Sequence, residues 1–326
     1  MQYRIFAGTY LIYIFVVYLK NMKQFLKGTF LGMCLLIFSC AIFISAKNIL
    51  PPGYNNIAYK VLKIKPSSTD SSIKRHDDVH LVVYDSTSKQ GKLLLFMQGT
   101  TGKPDRGPKD FYNTVVEAGY RLIVLSYIDD TGVSQVCIGH NLKVDCDCPA
   151  KFRTKRIYGE NTTPLITDQK QDAIVNRLTK LLQYLVIHDP AGHWDMYLEK
   201  GSPKWGIIAL AGQSQGGGMA AFMAKKLRVA KVISFSGGWD WSVEDKKIAN
   251  WYSTPSVTPL NLWYGTYNKA EETAQAIGQT YKAMGIPEDH IHELSLPVRQ
   301  GGTPHADGLW NPAYKPLWVE FLGKGN

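Results

Sequence analysis

The sequence predicts an α/β fold, a mostly parallel sheet with helices on both faces, from three observations. The apolar run Ile207-Ile208-Ala209-Leu210-Ala211 has the length and type of a strand buried on both faces. It breaks at Gly212-Gln213-Ser214-Gln215-Gly216 into an alanine- and methionine-rich helical segment that reaches Lys226. Strand, helix and strand patterns also succeed one another over 92–127, the spacing of a parallel βαβ unit, and the alternation continues toward the C-terminus.

Taken from the beginning, the first 46 residues look like export equipment rather than fold. They carry Arg4, Lys20, Lys23 and Lys27 and no acid. The apolar run 5–19 is 15 residues, short for a membrane span. Met22 then opens a second unit: Lys23 and Lys27 as a positive region, an apolar stretch over 30–44, and Ile44-Ser45-Ala46 as a small-residue cleavage site. A signal peptide starting at Met22 is the preferred reading, with a retained membrane anchor as its rival; any membrane contact is expected through this segment alone. The whole chain has a formal charge of +10, of which +6 lies beyond residue 46. No Lys/Arg block or basic-aromatic interleaving accompanies that excess, so no nucleic-acid partner is expected.

Residues 47–79, rich in Pro, Asn and Ser, read as an entry segment over the surface, and 80–322 as one domain. Strands are expected at 80–84, 92–97 and 121–127, with a helix over 109–118 closed by Gly119. Periodicity then lapses over 128–167, the mark of a functional insertion or lid. This loop holds Cys137, Cys146 and Cys148, the only cysteines beyond the leader. An odd count allows one bridge, from Cys137 to Cys146 or Cys148, in an oxidising compartment. A zinc set of Cys137, His140, Cys146 and Cys148 is the weaker alternative. Ile174, Leu178, Leu181, Leu182 and Leu185 recur at helical spacing as a packing stripe. Later strands are expected at 231–235, 260–264 and 292–296, with helices over 270–284 and 314–322.

With these motifs in order, the chain resembles the α/β-hydrolase fold, a three-layer arrangement. The likeness rests on the early strand ending in Gly99-Thr100-Thr101-Gly102, the Gly212–Gly216 turn, two later strands ending in loops that carry acids, and His305 before the last helix. Ser214-Gln215-Gly216, Ser236-Gly237-Gly238-Trp239-Asp240 and the cysteine-bearing loop are similar to a bacterial family of exported, cutinase-like esterases, the BPSS1187-type family. That resemblance implies a serine esterase acting on a small-molecule or polymeric ester.

The chemistry follows from the residue types. G-x-S-x-G between strand and helix lifts a serine hydroxyl clear of the sheet, so Ser214 is the candidate nucleophile. A serine needs a base within hydrogen-bond reach and a group orienting that base. His305 follows both acid-bearing loops and sits in a glycine-rich turn, so it is the candidate base. Asp240 is the preferred acid. Glu271 is an alternative, although Asn268-x-x-Glu271 is also what a helix start selects. Asn268 occupies the usual acid position without a charge, which leaves open a catalytically impaired binding or scaffold protein. The oxyanion hole is expected from the N–H of Gln215 and that of Thr100 or Thr101. None of this requires a metal or an organic cofactor. Trp239, Trp241, Trp251, Trp263 and Trp310 are candidates to line an apolar acyl site.

Overall fold

Alternating apolar residues along the strands send side chains to two separate cores, and this builds the layers. In the computed structural model, which describes residues 52–326 apart from 55, 57, 89, 90, 243, 245 and 246, eight strands form one sheet. They are β1 Tyr59–Ile64, β2 His80–Asp85, β3 Leu93–Met97, β4 Arg121–Val124, β5 Ile208–Gln213, β6 Lys231–Phe235, β7 Trp263–Asn268 and β8 Ile291–Leu294. Their order is β1-β2-β4-β3-β5-β6-β7-β8. β2 runs antiparallel to both β1 and β4, and all remaining pairings are parallel.

The helices are α1 Lys109–Glu117, α2 Cys148–Tyr158, α3 Ile174–His188, α4 Gln215–Lys226, α5 Ala274–Ala283, α6 Pro304–Trp310 and α7 Lys315–Leu322. Leu94 and Phe96 of β3, with Ala209 and Ala211 of β5, pack with α1, α6 and α7 residues such as Phe111, Leu309 and Trp318. Leu93, Leu95 and Met97 face the other way with Ile208 and Leu210, toward Phe152, Leu178, Met219 and Ile277 of α2 to α5. The three layers therefore come from period-two alternation within wholly apolar strands. Burying each such Leu or Ile side chain contributes about 1.5–3 kcal/mol.

Two expectations change. Residues 59–64, read as part of a surface entry segment, pair antiparallel with β2. The stretch 128–167 is not structureless: it contains helical turns at Val133–Val136 and Gly139–Val144 and the eleven-residue α2. A disulfide joins Cys137 to Cys148, the first residue of α2, and Cys146 is free and exposed. With two of its four ligands bonded to each other, the zinc set fails. Leu50–Asn326 forms one compact unit. The signal-peptide and anchor readings lie outside the described residues, among which no helix is long and apolar enough to cross a membrane.

Candidate active site

Thr100, Ser214, Gln215, Asp240 and Glu271 each lie shortly past the carboxyl end of a sheet strand, and His305 stands further on after β8, at the edge where open α/β sheets form their ligand crevices. The turn after β5 explains its glycines. Ser214 adopts φ 54° and ψ −120°, a conformation that costs of order 1–3 kcal/mol for a non-glycine residue. A Cβ on Gly216 would stand 2.1 Å from the Met97 carbonyl oxygen, and one on Gly212 would stand 2.3 Å from the carbonyl carbon of Gly216. The serine N–H donates to the Phe235 carbonyl at 2.8 Å, which ties the turn to β6.

The loop after β3 abuts this turn. A Cβ on Gly99 would lie 3.2 Å from Ser214 Cβ and 3.9 Å from its Oγ. Thr101, at φ 62°, donates its N–H to the Asp129 carbonyl at 2.9 Å, so that donor is already used. Gln215 opens α4, where a backbone N–H has no carbonyl one turn back to bond. Thr100 and Gln215 share a neighbour: a Cβ on Gly132 would meet Gln215 Oε1 at 2.9 Å and Thr100 Oγ1 at 3.2 Å.

His305 sits in the first turn of α6, and its carbonyl accepts a hydrogen bond from Gln213 Nε2 at 3.3 Å, beside Ser214. Its Nδ1 bonds Glu271 Oε2 at 2.6 Å. The Trp239 ring meets the imidazole edge-on at 5.1 Å between centroids. A carboxylate can only accept, so Nδ1 donates in this contact, and in the neutral imidazole that leaves the lone pair on Nε2. The carboxylate is 2 % exposed and its other oxygen is also held. Oε1 accepts from Ser236 Oγ at 2.7 Å and from the Asn268 N–H at 2.8 Å. The second of these has the form of the helix-start contact read from the sequence, but α5 begins only at Ala274 with Thr273 before it, so here the contact closes a turn after β7. One glutamate thus braces the turn and faces the histidine. Ser236, held at φ 46° just past β6, is a bracing residue that sequence reasoning quoted but assigned no role.

Asp240 corrects an expectation: it is not the partner of His305. Both its oxygens bind Arg153, with Oδ2 to Nε at 2.6 Å and Oδ1 to Nη2 at 2.5 Å, and Trp251 Nε1 donates to Oδ2 at 2.8 Å. The physical reason is Arg153 itself, 1 % exposed on α2, which needs a planar two-oxygen acceptor once out of water. Arg156, one turn on, pairs likewise with buried Asp168. Arg153, Lys155 and Arg156 therefore point inward and anchor α2. Removing one partner strands the other charge, so Asp240→Asn or Arg153→Met should each cost about 3–5 kcal/mol. A urea titration reads this as a lower midpoint at unchanged slope.

The strand order, the strained serine turn after β5 and the histidine after β8 define the α/β-hydrolase fold. No family model and no curated protein matches the sequence. Among solved structures, the chain is similar to an S-formylglutathione hydrolase (FrmB) from Staphylococcus aureus, at 13% identity over 84% of this chain and 100% of that one, with a TM-score of 0.45. It is similar to esterase 2 of Thermogutta terrifontis, at 12% identity over 84% and 97% of the two chains, TM-score 0.45. It is also similar to EstE1, a thermostable carboxylesterase cloned from a metagenomic library, at 12% identity over 82% and 89%, TM-score 0.45.

Proposed function

We propose that the chain is an exported serine hydrolase of carboxylic esters, with Ser214 as nucleophile, His305 as base and Glu271 as the group that orients it. The observation that carries this is the Nδ1–Oε2 contact of 2.6 Å, on a histidine whose backbone carbonyl accepts from the side chain of the residue before Ser214. Ser214 Oγ attacks the ester carbonyl as its proton passes to His305 Nε2. The N–H groups of Gln215 and Thr100 hold the oxyanion, each such donor being worth about 2.7–4 kcal/mol. The imidazolium, stabilised by Glu271, protonates the departing alcohol and leaves an acyl-serine. Water then attacks with the same histidine as base, and the carboxylic acid departs.

The rival reading, an impaired scaffold, arose from Asn268 at the usual acid position. Glu271 supplies the charge from three residues further on, which removes that ground. The Cys137–Cys148 bridge supports export to the periplasm or beyond. The narrower, cutinase-like membership stays part of the proposal, carried by the Ser236–Asp240 segment and the cysteine-bearing insertion.

The test is covalent. A phosphonate ester that reacts only with activated serines should add one mass increment, mapped to the peptide containing Ser214, and 4-nitrophenyl butyrate should be turned over. An unlabelled, inactive, folded protein would end this reading.

A further inference from the structure

Beside the nucleophile the groove carries positive charge. A pocket of about 110 Å³ lies between the loop after β3 and α6, lined among others by Gly99, Thr100, Lys103, Arg106, Gln213 and Trp310. Gly99 rests against Ser214 and Gln213 precedes it, so a group in this pocket belongs to whatever is esterified at that serine. One water claims roughly 30 Å³ in the liquid, so the space suits a few heavy atoms rather than a long tail.

The acids around it are engaged, one of them by the pocket's own lysine. Asp78 pairs with Lys103 at 2.5 Å, and Asp105 pairs with Lys63 at 2.9 Å. Asp307 is buried and accepts from the Arg299 N–H at 2.9 Å and from Asn311 Nδ2 at 3.1 Å. Arg106 is exposed, and among the described residues no carboxylate pairs with it. The Arg299 guanidinium lies over the Trp310 ring, 5.4 Å from its centroid, adding a second cation near the pocket. An unmatched guanidinium in a small pocket beside an ester-cleaving serine is a recognition element for a carboxylate.

We propose that the preferred substrates are esters whose short acyl chain ends in a carboxylate, half-esters of a dicarboxylic acid, with that carboxylate held by Arg106. This rests on the ester-hydrolase reading above. The test compares 4-nitrophenyl hydrogen glutarate with 4-nitrophenyl butyrate on the full chain. The glutarate should be preferred by about tenfold in kcat/KM, mostly through KM, the size of one charge-assisted contact. The preference should shrink in about 0.5 M salt, where the screening length falls to a few ångströms. Arg106→Gln should collapse the ratio of the two esters, and Arg106→Glu should invert it. A ratio at or below one in the parent protein, or a ratio that neither variant moves, overturns the proposal. If neither ester is cleaved in a Ser214-dependent way, the hydrolase reading falls instead. Calorimetry with monomethyl glutarate then decides the pocket alone: binding lost in Arg106→Gln supports it, and no binding to the parent protein overturns it.

Discussion

Ser214→Ala should lower turnover of a 4-nitrophenyl ester by about 10⁶-fold, the loss seen when the nucleophile of a serine hydrolase is removed. The residual rate should remain above that in water if Gln215 and Thr100 hold the oxyanion as proposed, because both donors survive the change. Alanine removes only the oxygen, and the turn conformation is enforced by the Gly212–Gly216 contacts and the Phe235 hydrogen bond, neither of which involves the hydroxyl. The variant should therefore fold with an unaltered circular dichroism spectrum. A loss of tenfold or less, measured after excluding contaminating esterases, would assign the chemistry to another residue.

Glu271→Gln should cost about 10⁴-fold in kcat, and the reason is a tautomer. Oε1 accepts from both Ser236 Oγ and the Asn268 N–H. A glutamine must keep its carbonyl oxygen on that side, since its NH₂ group cannot accept. The NH₂ then faces His305 Nδ1 and donates to it, which drives the ring proton onto Nε2, where the serine proton has to go. The charge that stabilises the imidazolium disappears at the same time. Asp240→Asn is the control: its carboxylate is bound to Arg153, so its effect should appear in the urea midpoint, while kcat of the folded fraction falls far less. Equal kcat losses in the two variants, each at full folding, would contradict the assignment of Glu271.

What could be read from the sequence follows from how local each feature is. The serine turn is local: an apolar strand, two glycines that must touch backbone, and a small-residue helix are contiguous, so 205–226 fixes its own geometry. His305 is the next most legible, by position after the last strand. The acid depends on which two loops converge in space, and Asn268-x-x-Glu271 has the form of a helix start although α5 begins only at Ala274, which hides the second use of the glutamate. Asp240 drew attention as an acid after a strand, while its partner Arg153 lay 87 residues earlier in a segment with no apolar period. α2 stayed hidden for the same reason, since the face it buries includes Arg153, Lys155 and Arg156. β1 was missed because three of its six residues are only partly buried and one is exposed, so an edge strand with lysines at 60 and 63 reads as surface.

The near-contact of Gly216 with the carbonyls of Met97 and Gln98 has a bearing on how such an enzyme can change its diet. The serine turn and the end of β3 are wedged together with no room for a methyl group, so selection cannot widen or narrow that gap in small steps. Adaptation to a new ester has to be written in the parts hung around it. These are the disulfide-pinned helices of 133–158 and the exposed positions of Lys103 and Arg106, where side chains can be exchanged while the reacting centre stays as it is.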